Sequence, residues 1–163
     1  MAYLLDSNIF IQAKNLHYGM DFCPGFWDWL VKANDNGRVF SIEKIENELV
    51  AGDDDLAKWA RERGQEFFLP PDEKMTDVLP EVSAWVKRQK YQESAHNLFF
   101  QSADYYLISY AKAHGHAVVT HEILSDSARK IKIPNVCIGM QVRCLTPFEM
   151  LRLEKVRLVL KES

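Results

Sequence analysis

Five acids in this 163-residue sequence occupy places where an ionised carboxylate is expensive. Asp6 follows directly on Tyr3-Leu4-Leu5, and Glu122 follows Ala117-Val118-Val119 after only Thr120 and His121. Asp104 stands three, four and seven residues before Leu107, Ile108 and Ala111, so at helical spacing its carboxylate shares the stripe that the helix buries. Glu46 and Glu48 flank the stripe of Ile42, Ile45 and Leu49 on opposite sides. Either can lean into a cleft, whereas Glu43 points away from the stripe at about 100° per residue. A buried carboxylate is costly unless it caps a helix, pairs or binds a cation. If Asp6, one of Glu46 or Glu48, Asp104 and Glu122 share one cleft, they cannot all remain ionised without cations. Hard oxygen ligands select Mg²⁺ or Mn²⁺ over zinc or copper. Such a site serves phosphoryl chemistry, in which the ions clamp the attacking and leaving oxygens and lower the pKa of a bound water.

Convergence of these acids depends on the elements that carry them. The short, uninterrupted apolar run Tyr3–Leu5 reads as a strand buried on both faces, the habit of a parallel sheet under helices. Ala117–Val119 repeats that pattern after a helix that Gly115 ends, and a right-handed crossover makes the second strand parallel to the first. Asp6 and Glu122 then lie at the carboxyl edge of the sheet, where open α/β folds bind ligands. A plainer reading also stands: Asp6 or Ser7 caps a helix beginning at Ile9, and Asp104 offsets a helix dipole from the first turn.

Between these points the chain predicts a short helix over Ile9–Lys14 and a long loop over Asn15–Cys23. Pro24 opens a second helix, which Asn36-Gly37 closes. Its Phe26, Trp27 and Trp29 read as core rather than as a base-stacking platform. Val39-Phe40 is a second strand, with Ser41 capping the helix after it. The run Asp53-Asp54-Asp55 reads as capping, since it lacks the glycine and distal glutamate of a calcium loop. Phe67-Phe68-Leu69 is a small strand, and the helical pattern from Met75 is expected to divide at Pro80. Ile133–Ile138 reads as a further strand. Thr146-Pro147-Phe148-Glu149 is a capping box with proline at the first helical position. Val156–Leu160 is compatible with a strand or with a continued helix.

Composition sets the class. An apolar share of 47% and a charged share of 26% fit a soluble globular protein, and the length fits one domain over 1–163. No apolar run approaches the ~20 residues that span a bilayer, which excludes a membrane-embedded role. The N-terminus lacks the basic flank and small-residue cleavage site of a signal peptide, so the expectation is a cytoplasmic protein. Cys23, Cys137 and Cys144 lack C-x-x-C spacing and read as reduced thiols, not as a zinc site. His114-Gly115-His116 reads as a helix-ending turn. The net charge of −3 does not announce a nucleic-acid binder, yet acids gathered in one pocket depress the total, and a bound divalent ion inverts the local field. Arg129, Lys130 and Lys132, in the loop beyond Glu122, and Lys14 are the candidate contacts to a phosphodiester backbone. The basic cluster Lys87-Arg88-Gln89-Lys90 reads as a solvated face. The surplus of Trp and Phe leaves apolar area that a homodimer would hide.

The order Asp6-Ser7-Asn8, then Glu48-Leu49 in the helix after the second strand, then Asp104, then Thr120-His121-Glu122 resembles the PIN-domain ribonucleases, which include toxins of bacterial toxin–antitoxin pairs. The resemblance runs from Tyr3 to about Glu149. It implies a three-layer α/β/α sandwich around a mainly parallel sheet, a Mg²⁺ or Mn²⁺ site formed by Asp6, Glu48, Asp104 and Glu122, and endonucleolytic cleavage of RNA. It selects Glu48 over Glu46, because in the family the acid directly precedes an apolar residue such as Leu49. It gives Asn8 and Thr120 the task of ordering the site, and it makes an antitoxin protein an expected partner. The chain departs from the family in carrying Glu122 after Thr120-His121 where the family usually has aspartate after Thr-Asn, a change in reach of about one methylene. A further acid often follows that motif; here the nearest is Asp126. A second expectation, of another class, is a PIN-like module that binds protein or RNA without cutting. A phosphatase with Asp6 as covalent nucleophile is disfavoured, since such enzymes want a second acid two residues on and position 8 is Asn.

Overall fold

In the computed structural model, residues 1–162 are described. A five-stranded parallel sheet forms the middle layer in the order β3-β2-β1-β4-β5. The strands are β1 (Tyr3–Leu5), β2 (Val39–Ile42), β3 (Phe68–Leu69), β4 (Ala117–Val119) and β5 (Cys144–Leu145). Tyr3, Leu4 and Leu5 register with Ala117, Val118 and Val119 on one side, and Tyr3 and Leu4 with Val39 and Phe40 on the other. The central strands are short, and β1 and β4 are buried throughout because helices cover both faces. Fully buried Leu4, Leu5, Val118 and Val119 join Phe10, Ile45, Leu107 and Ile108 in one apolar core. This is the three-layer α/β/α arrangement expected from the apolar runs.

Nine α-helices among the described residues connect or flank the strands: α1 (Ser7–Gln12), α2 (Pro24–Asp35), α3 (Glu43–Val50), α4 (Asp55–Arg63), α5 (Glu73–Arg88), α6 (Glu93–Gln101), α7 (Ala103–His114), α8 (Ile133–Met140) and α9 (Pro147–Leu153). Several of their ends follow from single residues. Asp54 accepts a hydrogen bond from the Ala57 N–H and so caps α4, as the acidic run predicts. Thr146 and Glu149 close a full capping box on α9. Gly115 ends α7 at φ +70°, in the left-handed region that favours glycine.

Five expectations are corrected. The helix after β1 starts at Ser7 and does not give way to a loop at Asn15, because a π-helical turn continues it over Ala13–His17. Ser41 is not a cap: it lies inside β2, fully buried, and donates its hydroxyl to the Leu5 carbonyl across the sheet. Pro80 does not divide α5, which runs unbroken past it. Ile133–Ile138 is helix, not strand: Pro134 pre-sets its first turn, and the buried positions Ile133, Val136, Cys137 and Met140 recur at helical spacing. The strand in this region is the two-residue β5. The segment from Val156 to Leu160 is neither strand nor helix. No helix is long and apolar enough to cross a membrane among the described residues.

Candidate functional site

The carboxyl edge of β1, β4 and β5 carries the site. Asp6 is the first residue past β1 and is only 3% exposed. It does what the plainer reading expects, accepting the Ser7 N–H at 2.7 Å to cap α1. Its other carboxylate oxygen accepts the Thr120 hydroxyl at 2.8 Å, from the first residue past β4. The two neighbouring strand ends are thereby tied side chain to side chain.

Thr120 is the hub of a small network. Its Oγ1 accepts from the Asn8 amide at 3.3 Å and from the Glu122 N–H at 3.1 Å, while it donates to Asp6. Asn8 returns across the same gap: its Oδ1 accepts the His121 N–H at 3.2 Å. Residues 120–122 are thus held to the start of α1 by hydrogen bonds from both directions. Glu122 is partly committed as well, since its Oε1 accepts the Ile133 N–H at 2.9 Å and satisfies the start of α8. Its second oxygen is left for the cleft.

Asp104, the second residue of α7, lines a recess of about 200 Å³ with Glu122, Ser102, Lys130 and Ile131. α7 runs antiparallel to the β4 strand it leads into, so its N-terminus lies at the same sheet edge as Asp6 and Glu122. Burial, then the charges of Asp6, Glu122 and Glu48, push the Asp104 carboxyl up to about 8, against a lowering by Lys130. Asp6 is pushed up to about 6, chiefly by burial; Thr120 and Ser7 oppose this by hydrogen bonding, while Glu122 and Glu48 add to it. Asp6, Glu48, Asp104 and Glu122 therefore share one field. Glu48 is exposed as a residue, yet its carboxyl is raised by desolvation, offset by a hydrogen bond from the Ser7 side chain and by Lys44. Glu46 lies elsewhere: its carboxyl, raised mainly by burial, feels Glu43.

The basic residues divide. Lys130 lines the recess beside Asp104 and Glu122. Arg129 is exposed and Lys132 half-buried in the same segment, which is neither helix nor strand. Lys14 is held in an ion pair with Asp54. Asp126 is exposed and takes no part in the network around Thr120. Ser7 is the site residue that sequence reasoning missed, and its position between the acid and Asn8 was the available signal.

The donors facing the cleft are all oxygen, the set that suits Mg²⁺ or Mn²⁺. Asp6 and Asp104 are held above their ordinary range, chiefly by burial and further by neighbouring acids, a strain that a cation relieves. The residues fit such an ion in kind. Among the described residues, no three side chains of ligating type are gathered into a ready-made cage.

A family model described as Domain of unknown function (DUF4411) matches residues 3–158. No curated protein matches the sequence. Among solved structures, the crystal structure of VapBC2 from Rickettsia felis bound to a DNA fragment from their promoter contains a chain of similar fold. The TM-score is 0.55 at 16% identity, covering 90% of this chain and 98% of that one. The likeness bears out the PIN-like fold that the ordered acids predict.

Proposed function

We propose that this chain, which belongs to the family described as Domain of unknown function (DUF4411), is a divalent-metal-dependent endoribonuclease. The observation that carries the proposal is that the Asp6 and Asp104 carboxyls are buried at one sheet edge and both raised, chiefly by that burial and further by the charges of Glu48 and Glu122. A fold gains nothing from four carboxylates at one sheet edge unless a cation or a proton compensates them. Asp6, Glu48, Asp104 and Glu122 would hold Mg²⁺ or Mn²⁺. When bound, the ion would supply Lewis-acid activation of water and of the phosphoryl oxygens.

The chain's own groups would do the rest. Asp104, second in its helix and half-buried, would orient the attacking water. Thr120 and Asn8 would fix Asp6 and the 120–122 segment, so that the acids need not reorganise when RNA arrives. Lys130, on the rim of the recess, would meet a non-bridging phosphate oxygen, and Arg129 and Lys132 the flanking backbone. The fold's likeness to a VapBC2 chain supports a protein antitoxin as the partner that restrains the enzyme.

Calorimetric titration with Mn²⁺ tests the metal site. Heat in the wild type that is lost in Asp104→Asn supports it; no heat in either form favours a PIN-like module that binds without cutting. That second reading draws on Glu122, whose Oε1 already serves the start of α8.

A further inference from the structure

Three aromatic rings meet at the rim of the acid site, brought there by three different strand ends. His17 closes the π-helical turn that follows β1 and α1, His121 follows β4, and Phe148 opens α9 after β5. Their centroids lie 5.5 Å apart for His17–His121, 5.5 Å for His17–Phe148 and 5.9 Å for His121–Phe148. The two imidazoles are inclined at 31°, and Phe148 stands nearly perpendicular to His17 at 87°.

The aromatic cluster of the core differs in kind. Phe10, Phe67 and Phe68 pack with Trp27 and Trp59 around the core, and the three phenylalanines are essentially inaccessible. The rim rings are not covered: Phe148 is 37% exposed and both histidines are only half-buried. Their positions are nevertheless fixed. The capping box holds the first turn of α9 that carries Phe148, and the His121 N–H is pinned on Asn8. His121 also directly precedes Glu122, so the rings and the carboxylates occupy one stretch of sheet edge.

We infer that His17, His121 and Phe148 form a stacking platform for a nucleobase of single-stranded RNA, seated next to the phosphate at which the acids act. The inference rests on the ribonuclease reading and adds what that reading lacks, a contact with a base. Flat, partly exposed rings on anchored backbone suit an unstacked base, because every base presents a π-face and stacking requires no sequence-specific hydrogen bond. Arg129, Lys130 and Lys132 would track the backbone while the platform takes the base, the combination typical of single-strand binders. A cut site set by where an unpaired base can be stacked selects loops and tails over duplex RNA.

The test is fluorescence anisotropy with the full chain in chelator, where no cleavage occurs. The probes are a labelled six-nucleotide single-stranded RNA of mixed sequence and an abasic ribose-phosphate oligomer of equal length and charge. Wild type should bind the base-bearing oligomer at least about fivefold more tightly than the abasic one. Phe148→Ala and His17→Ala should erase that preference, and Phe148→Trp should retain it. Equal binding of the two oligomers by wild type, or an undiminished preference in a folded Phe148→Ala protein, overturns the inference. Cleavage of an RNA pool with Mn²⁺ is measured alongside. Cleavage without base preference removes the platform and leaves the nuclease standing, and base preference without cleavage does the reverse.

Discussion

Replacing Asp104 with asparagine should stabilise the metal-free protein at neutral and alkaline pH. Burial first, and then the charges of Asp6, Glu122 and Glu48, hold the Asp104 carboxyl at about 8 against an ordinary 3.8. A carboxyl raised in the folded state keeps its proton more tightly there than in the unfolded chain. Its contribution to stability is therefore fully present below 3.8 and is lost as pH climbs through about 8. Each pH unit inside that window corresponds to about 1.4 kcal/mol, so the loss approaches ~4 kcal/mol near pH 7. Asparagine keeps the shape and removes the titration. Asp104 is half-buried, and water screening brings the expected gain to about 2–4 kcal/mol, roughly 5–15 °C in Tm for a chain of this size. The assay is thermal unfolding followed by circular dichroism in chelator, for wild type and Asp104→Asn, at about pH 5 and about pH 8.5. The variant should melt higher at the alkaline pH, with a clearly smaller gain at the acidic one. Added Mg²⁺ or Mn²⁺ should narrow the alkaline difference, because it stabilises the wild type through ligands the variant has lost. A variant that melts at or below the wild-type temperature at the higher pH refutes a desolvated, mutually repelling carboxylate cluster.

Other consequences are as direct. Thr120→Val leaves the buried Asp6 carboxylate and the Asn8 amide each short of a partner, which should cost about 1–3 kcal/mol in urea denaturation and lower any metal-dependent cleavage; unchanged stability and cleavage would remove Thr120 from the network. Gly139→Ala would place a Cβ 2.0 Å from Cε2 of Trp85, where α8 meets α5, so the denaturation midpoint should fall by the equivalent of about 1–3 kcal/mol. A midpoint equal to wild type would mean that Trp85 has room to turn. Lys130→Ala should weaken binding of single-stranded RNA and flatten its salt dependence by about one phosphate contact, while Lys14→Ala, whose ammonium is held by Asp54, should change binding little. Equal effects from the two would contradict the division of basic residues between rim and ion pair.

Much of the architecture is legible in the sequence for a simple reason. Tyr3–Leu5 and Ala117–Val119 are apolar at every position and run straight into polar residues, so strand, burial and the edge that carries Asp6 and Thr120 are announced together. Asp104 is equally plain, because a helix that repeats Leu107, Ile108 and Ala111 cannot hide an acid on the same stripe without a use for it. The separation of Glu48 from Glu46 is not set by helical phase, which leaves both beside the stripe; it depends on Ser7 reaching one of them from a neighbouring strand end. Ile133–Ile138 misleads because its β-branched residues imitate a strand, while the pattern that marks a helix completes only at Met140. β5, at two residues, is too short to leave any periodicity, and its pairing is set by β4 beside it. The α6 helix goes unread because only Ala95 and Phe99 are buried along it. The rim platform is invisible for a different reason: His17, His121 and Phe148 are far apart in sequence and meet only because three parallel strands end side by side.

The central claim is that these carboxylates bind a divalent ion and cut RNA with water as the nucleophile. One measurement reaches it most directly: incubation of the purified protein with an RNA pool in Mn²⁺ or Mg²⁺ and then in chelator, beside Asp6→Asn and Asp104→Asn, with chemical identification of the new ends. Cleavage should depend on the metal, be lost in both variants, and leave 5′-phosphate and 3′-hydroxyl termini. Cleavage that persists in chelator, or 2′,3′-cyclic phosphate ends that show the RNA's own 2′-hydroxyl to be the nucleophile, would contradict the claim.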